Sequence, residues 1–293
     1  MKVLKLRDYL FVILIIAIPF VFGSIFDKDI SKAVYADFNH PEIADFLGAY
    51  LVTPYYFIIY FAIFSFALSI KPYMNLVIRI ILYAICAYLL VFTGYRIYKQ
   101  FDELNKYFGI IGNSVHIAFI IFICLTSSLL VYIFIARKKI DKIILIKTAS
   151  IVLIVFTVVT FAQLNIKEIW SRPRPFYVFS HINEYKEWWQ LQPYACLKNK
   201  AYASFPSGHS ISSTLLACFA LVYSVLFKKL NNKKARLIIY YVLIIFAMIM
   251  GFSRMLSGQH FLTDTCFGIV FSLSIFYITT LIANKIIKKP LIN

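Results

Sequence analysis

Long apolar runs, separated by short polar segments, constrain the fold of this chain more than any other feature. Hydrophobic residues make up 61% of the 293 positions, against roughly 45–50% in soluble domains. Because a helix needs about 20 apolar residues to cross a bilayer core, such runs predict membrane-spanning helices. Eight runs approach that length, at 9–26, 50–70, 76–98, 115–136, 143–166, 209–227, 237–252 and 265–287.

These runs predict an all-α, polytopic transmembrane helical bundle with about six to eight spans. The count has a range because only Lys71-Pro72 and a few polar residues separate the second and third runs, and because the seventh run is short. Basic residues precede the first run, but it is long and no small-x-small cleavage site follows, so we expect an uncleaved anchor. With no fixed-period repeat and no long linker, 1–293 is expected to form one integral membrane domain, with N-terminal spans at 9–166 and a motif region at 167–287.

Three polar clusters interrupt the apolar pattern in the second half of the chain, each at the end of a run. They are KEIWSRPRP at 167–175, FPSGHS at 205–210 and SRMLSGQHFLTD at 253–264. Charged residues make up only 15% of the chain, so this concentration of cations, histidines and an aspartate predicts a functional site at one end of the bundle.

The net charge of +17 is explained by membrane topology, and we expect no nucleic-acid partner. If the N-terminus is cytoplasmic and eight spans alternate, the inner segments hold 18 of the 30 basic residues, but only Asp8 and Asp141 among the acidic ones. This bias predicts cytoplasmic N- and C-termini in the cytoplasmic (inner) membrane. It also predicts that all three clusters lie on the outer side, facing the periplasm or the exterior.

The second cluster has the pattern of a helix start that binds an anion. Pro206, Ser207, Gly208 and His209 precede an apolar run, so free backbone N–H groups and the positive end of the helix dipole point outward. Ser207 adds a hydroxyl, Gly208 permits close backbone approach, and His209 can carry a proton. Simple helix capping is the structural alternative.

The third cluster contains a candidate nucleophile. His260 and Asp264 are four residues apart, so on a helix they share a face and the carboxylate can orient the imidazole. Lys167, Arg174 and Arg254 suit a phosphate whose charge is redistributed during transfer. His260, Asp264 and His209 could otherwise be read as zinc ligands, but these cations oppose a divalent ion and no Cys, Glu or third His accompanies the three residues. We therefore expect no metal ligand and no cofactor.

At these residues the chain resembles the type 2 phosphatidic acid phosphatase superfamily. Its signature is Lys-x6-Arg-Pro, then Pro-Ser-Gly-His, then Ser-Arg-x5-His-x3-Asp. The matching positions here are Lys167, Arg174, Pro175, Pro206, Ser207, Gly208, His209, Ser253, Arg254, His260 and Asp264. The resemblance favours the membrane lipid phosphatase branch, which includes phosphatidylglycerophosphatase B, undecaprenyl pyrophosphate phosphatases and lipid A phosphatases.

The resemblance implies a metal-independent hydrolase that acts on a phosphorylated lipid. His260 would form a phosphohistidine, Asp264 would orient it, and His209 would protonate the leaving oxygen and then activate water. The phosphoryl oxygens would be bound by Lys167, Arg174, Ser207, Gly208 and Arg254. The resemblance also leaves open a lipid A phosphatase and a lipid-to-lipid phosphotransferase.

Three further points stay open at the level of sequence. An anion transporter would also place basic residues at span ends, although it would not need the His260/Asp264 pair. Arg172 could substitute for Arg174 or contact a second phosphate.

The aromatic segment 176–203 is expected at headgroup level, either as an interfacial belt or as a lid over a lipid. Residues 27–49 are expected to form an outer loop without site residues.

Overall fold

The computed structural model describes residues 5–36, 53–70, 74–108, 142–226 and 233–286, together with a few single positions between 121 and 133. The longer helices are α1 (Leu6–Ala36), α2 (Thr53–Ser69), α3 (Leu76–Phe108), α4 (Lys142–Trp170), α9 (Lys233–Leu256) and α10 (Leu262–Ile286). The shorter ones are α5 (Pro175–Ser180), α6 (Ala195–Lys198), α7 (Gly208–Leu215) and α8 (Phe219–Leu226). No strand occurs within these ranges.

The predicted all-α, multi-pass architecture is confirmed. Among the residues that the structure describes, six helical segments are long and apolar enough to cross a membrane: Leu6–Tyr35, Leu76–Tyr98, Ile143–Ser180, Gly208–Val225, Lys234–Leu256 and Leu262–Ile286. The second predicted run forms a shorter apolar helix, Pro54–Ser69. The fourth run, 115–136, lies almost wholly outside the described residues.

Large apolar side chains cover the outside of the spanning helices. Leu14 and Ile18 on α1, Val91 on α3, Phe161 on α4 and Ile238 on α9 are all exposed. In a water-soluble protein such a surface would favour aggregation or a partner, whereas in a bilayer it faces lipid tails. This exposed surface and the lengths of the helices together indicate a membrane-embedded bundle.

At the centre of the bundle α10 packs against α4, α7 and α9, and α7 also packs on α9, while α1 packs along α10 and α2 packs on α4. Small residues permit this approach, as is common between membrane helices. A side chain on Gly268 would meet the carbonyl oxygen of Ser207 at 3.0 Å, and one on Gly251 would meet Thr265 at 3.1 Å. The start of α7 is thereby held tightly between α9 and α10.

Local chemistry explains where the helices at the site begin and end. Ser171, in the left-handed region (φ 38°), follows the last residue of α4, and Pro173 and Pro175 prevent its continuation. Ser207 caps α7 by accepting a hydrogen bond from the backbone N–H of Ser210 at 3.4 Å. Asp264 reaches back to the N–H of Phe261 at 2.9 Å, which is the carboxylate half of a capping box at the start of α10.

The first helix differs from its prediction at its C-terminal end. The apolar run ends at Phe26, and the sequence predicted an outer loop from Asp27 onward. Instead α1 bends at Phe26 (φ −120°, ψ 19°) and continues to Ala36. Asp27 therefore lies on a helix, and it is 1% exposed.

Candidate active site

All three polar clusters lie at the same end of the bundle. The first cluster spans the end of α4, the second begins α7, and the third joins α9 to α10. Backbone hydrogen bonds hold the clusters in place. The N–H of Arg174 donates to the carbonyl of Ala201 at 2.7 Å, and the N–H of Ser207 donates to the carbonyl of Asp264 at 3.1 Å. The three clusters thus lie together at one end of the bundle, and their role as one functional site stays a prediction.

His260 lies in the turn before α10 and is 3% exposed. Its Nδ1 lies 2.7 Å from the carbonyl oxygen of Ser204. Because a carbonyl oxygen can only accept a hydrogen bond, Nδ1 carries the proton and Nε2 keeps its lone pair. The backbone carbonyl just before the second cluster thus selects the tautomer in which Nε2 keeps its lone pair.

Asp264 is near His260 but is not its hydrogen-bond partner. Its Oδ2 is 3.9 Å from Nδ1 of His260, and the same oxygen accepts a bond from the Ser204 hydroxyl at 2.5 Å. Ser204 therefore connects the two residues, with its hydroxyl on the carboxylate and its carbonyl on the imidazole. Ser204 was not among the predicted site residues, and only its position beside the Pro-Ser-Gly-His motif could have indicated it.

Three cations surround the imidazole. The pKa of His260 is held well below its ordinary value by burial and, after that, by the positive charges of Lys167, Arg174 and Arg254. Lys167 Nζ donates to the carbonyl of Ala203 at 2.7 Å, and Arg174 donates to the side-chain oxygen of Gln259. His260 is therefore a neutral imidazole at neutral pH, in an environment suited to an anion.

The start of α7 lies beside these cations. His209 is half-buried and Ser207 is buried, and the charges of Arg254 and Lys167 both act on His209. A side chain on Gly208 would meet the amide nitrogen of Gln163 at 2.6 Å, so only glycine fits without displacing Gln163. The first-turn N–H groups of α7 and the three cations form one electropositive site.

Arg172 is bound within the protein and is not available to replace Arg174 as a phosphate ligand. It is 0% exposed; Nη1 donates to Asp264 at 2.7 Å and Nη2 donates to Asp27 at 2.9 Å. Its Cζ also lies 4.1 Å from the centre of the Phe261 ring. The doubled Arg-Pro pair therefore supplies one guanidinium for the ion-pair network and leaves the second, Arg174, beside His260.

Asp27 was wrongly assigned to a loop without site residues. It accepts hydrogen bonds from Arg172 and, through Oδ1, from the backbone N–H of Thr263 at 3.1 Å. Breaking a buried ion pair by removing one partner costs about 3–5 kcal/mol, so this carboxylate contributes to the architecture of the site. In the sequence, the position of Asp27 at the end of an apolar run was the one feature that could have indicated a place at the site.

A second residue from the N-terminal half lies at the same end. Arg96, on α3, acts electrostatically on both Lys167 and His209. No role was predicted for Arg96, because it is far from the motifs in the chain. The upstream helices thus take part in the electrostatics of the site.

The aromatic segment after α5 packs on this end of the bundle. Trp188 donates to the hydroxyl of Ser24 on α1 at 3.0 Å, and Trp170 donates to the carbonyl of Trp188 at 2.6 Å. The carbonyl of Lys186 accepts from Nε of Arg172 at 2.9 Å. In contrast, Trp189, Tyr194 and Leu197 are exposed. The segment is therefore anchored at its base and presents apolar side chains outward.

The chemistry available here is nucleophilic attack by a neutral imidazole on a group that carries negative charge. In the part of the chain that the structure describes, no group of three His, Cys, Asp or Glu side chains is arranged to hold a metal ion. The side-chain cations can themselves neutralise developing charge on phosphoryl oxygens.

Comparisons with known proteins agree with this chemistry. No curated protein and no solved structure matches the chain significantly. A family model described as the PAP2 superfamily matches residues 147–288, a range that begins within α4 and includes all three clusters. Members of that superfamily are phosphatases. This C-terminal part of the chain, residues 147–288, is a PAP2 superfamily domain.

Proposed function

We propose that the chain is a membrane lipid phosphatase that removes a terminal phosphate, as a monoester or from a pyrophosphate, through a phosphohistidine on His260. The observation that carries this proposal is the hydrogen bond from Nδ1 of His260 to the carbonyl of Ser204. It leaves the lone pair on Nε2, and the positive charges of Lys167, Arg174 and Arg254 act on the same ring. A neutral, oriented imidazole among fixed cations is what in-line attack on a phosphate dianion requires.

The reaction has two steps. In the first, Nε2 of His260 attacks phosphorus and the bond from phosphorus to the lipid oxygen breaks. His209, which is in its imidazolium form when the phosphate dianion is bound beside it, donates a proton to that oxygen. In the second, His209 takes a proton from water, the resulting oxygen attacks phosphorus, and the bond from phosphorus to Nε2 breaks, which releases inorganic phosphate. Lys167, Arg174, Arg254 and the Ser207-Gly208 backbone hold the phosphoryl oxygens in both steps.

The height of the site supports a lipid substrate. The motif residues lie at helix ends, where a phosphate headgroup is found when the acyl chains lie in the bilayer core. The exposed side chains of Trp189, Tyr194 and Leu197 suit the interface between headgroups and tails. A lipid could therefore present its phosphate to His260 without leaving the membrane.

The distribution of charge supports an outer-facing site in the cytoplasmic membrane. Basic residues cluster at the helix ends opposite the site, namely Lys5, Arg7, Lys142, Lys147, Lys234, Arg236 and Lys285. Lys and Arg near span ends favour the cytoplasmic side. The catalytic end then faces the periplasm or the exterior.

The test is phosphate release by the detergent-purified full chain from phosphatidic acid, phosphatidylglycerophosphate, undecaprenyl pyrophosphate and lipid A. His260→Ala is the blank, and His181→Ala, which changes an exposed histidine, is the matched control. Release by the wild type and by His181→Ala, but not by His260→Ala, supports the proposal and identifies the substrate class. If a lipid loses phosphate only when a second acceptor lipid is supplied, the chain is a phosphotransferase; no reaction under either condition contradicts both activities.

A further inference from the structure

Asp27 connects the first helix to the catalytic end of the bundle, although it lies outside the matched domain at 147–288. The carboxylate is buried and contacts three groups: Nη2 of Arg172 at 2.9 Å, the backbone N–H of Thr263 at 3.1 Å, and the hydroxyl of Thr263. Both partners border Asp264, because Thr263 is its neighbour in the chain and Arg172 is its ion-pair partner.

The shape of α1 brings this carboxylate into place. Gly23 is one helical turn before Asp27 on the same face, and a side chain there would meet Cγ2 of Thr263 at 3.0 Å. The helix therefore approaches the start of α10 more closely than a larger residue would permit. The bend at Phe26 follows directly, and further along α1 the ring of Tyr35 lies against Gly258. Contacts before and after the bend thus fix Asp27 against the turn that carries His260.

The guanidinium of Arg172 explains why two carboxylates are needed. Nη1 donates to Oδ1 of Asp264 at 2.7 Å, and Nη2 donates to Asp27. Each amino group has its own acceptor, so the plane of the guanidinium is fixed at both ends. Without Asp27, Nη2 loses its acceptor, and the guanidinium could shift within its remaining bonds so that both amino groups bind Asp264. The carboxylate of Asp264 would then turn away from Ser204, whose carbonyl orients His260.

We propose that Asp27 is a positioning residue for phosphoryl transfer. It acts through Arg172 and Thr263 to hold Asp264, Ser204 and the His260 turn in the geometry for in-line attack. The inference rests on the proposed function, and it makes the N-terminal helix part of the catalytic unit. Asp27 touches no reacting atom, so its removal changes the placement of the nucleophile and leaves the cations that bind phosphate unchanged.

The test compares Asp27→Asn with Asp29→Asn in the purified full chain. Asp29 is an exposed carboxylate two residues further along the same helix, so this control removes the same charge from the surface. Two binding probes accompany the kinetics: inorganic phosphate, which needs the cations, and orthovanadate, which binds most tightly when His260 can add to it in line. Affinities are read from the shift in melting temperature with ligand concentration.

For Asp27→Asn we expect kcat to fall by about 10–100-fold, as for a nucleophile displaced by a fraction of an ångström, with KM changed less than about threefold. Vanadate affinity should fall by about tenfold or more while phosphate affinity stays the same, and Asp29→Asn should match the wild type. Unchanged kcat, or an equal loss of affinity for both probes, would overturn the proposal; the second result would mean that Asp27 only supports the fold.

Two further comparisons distinguish a failure of this inference from a failure of the proposed function or of folding. If wild type and His260→Ala release phosphate equally, the proposed function fails whatever Asp27 does. If Asp27→Asn does not fold, Thr263→Val takes its place, because it keeps both charges and removes the hydroxyl that bonds Asp27 and Arg172. A selective loss of vanadate affinity in Thr263→Val supports the inference, and equal affinities for the wild type and Thr263→Val overturn it.

Discussion

Nδ1 of His260 lies 2.7 Å from the backbone carbonyl oxygen of Ser204, so a main-chain atom orients the candidate nucleophile. The comparison with Ser-His-Asp triads led us to expect that the carboxylate four residues away would orient it. Asp264 instead accepts a hydrogen bond from the Ser204 hydroxyl at 2.5 Å. It therefore holds in place the residue whose carbonyl orients the imidazole. The carboxylate thus acts on the turn that surrounds the imidazole.

The first prediction concerns His260 and Asp264. We expect His260→Ala to abolish phosphate release, because in the proposed mechanism the attacking lone pair is that of Nε2 of His260. Asp264→Asn should retain a slow activity, reduced by about 10³-fold, since orientation contributes less than the nucleophile itself. The measurement is single-turnover phosphate release, with His181→Ala as the control. Wild-type activity in His260→Ala would rule out the phosphohistidine mechanism.

The second prediction separates the two roles of Ser204. Ser204→Ala removes the hydroxyl that binds Asp264 and keeps the carbonyl that accepts from His260. A hydrogen bond to a charged group contributes about 1.5–3 kcal/mol, so we expect kcat to fall by about 10–100-fold while phosphate affinity stays unchanged. Ser180→Ala, at an exposed serine, is the matched control. A loss as complete as that of His260→Ala would indicate that the hydroxyl itself takes part in the chemistry.

How much of this arrangement the sequence could predict depends on the kind of interaction. The runs of apolar residues predicted a multi-pass helical bundle because span length is a property of consecutive residues. The three motifs predicted the cations and histidines of the site because each side chain belongs to a local pattern at a helix end. Residues such as Gly208 and Ser207 were identified for the same reason.

The contacts missed by the sequence analysis join residues far apart in the chain. Asp27 and Arg172 are separated by 145 positions, and no local spacing relates them. The apolar run ends at the charged pair Asp27-Lys28, and this pattern does not show that the helix bends at Phe26 and continues. The sequence therefore predicted a loop where the second part of α1 lies. The partner of His260 is a main-chain carbonyl, which every residue possesses and which therefore leaves no sequence signature.

The third prediction concerns the protonation of His260. Because burial and the charges of Lys167, Arg174 and Arg254 lower the pKa of His260, the ring should remain neutral when the pH falls through about 6.5, where an ordinary histidine titrates. The folded state then binds this proton less tightly than the unfolded chain. His260 consequently reduces stability progressively below about pH 6.5. Nitrogen-15 NMR of labelled histidine rings, with His260→Gln for assignment, measures the titration.

A change of charge beside His260 supplies the control for that titration. Lys167→Met removes the cation whose charge lowers the pKa of His260 most, and should therefore raise this pKa toward its ordinary value. Lys198→Met, at an exposed lysine, should leave the titration curve unchanged. If both substitutions shift the curve equally, the general positive charge of the protein is responsible and the site cations have no special effect.

The fourth prediction concerns metal ions. Because the phosphoryl oxygens are expected to bind protein cations, we expect full phosphatase activity after dialysis against excess chelator. The assay is phosphate release before and after treatment, repeated with added Zn²⁺ and Mg²⁺. Activity that disappears with the chelator and returns with zinc would instead assign His209, His260 and Asp264 to metal binding.

The fifth prediction tests the turn between α9 and α10. Gly258 has φ 66°, and a side chain there would meet Cε2 of Tyr35 at 2.8 Å. For Gly258→Ala, the left-handed conformation alone costs about 1–2 kcal/mol, and displacement of the Tyr35 ring adds to it, so the melting temperature in detergent should fall. In the background of Tyr35→Ala the same substitution should cost less, because the steric part is removed, but the backbone part should remain. An equal cost in both backgrounds would mean that α1 does not press on this turn. The contacts of α1 with the His260 turn would then be reduced to those of Gly23 and Asp27.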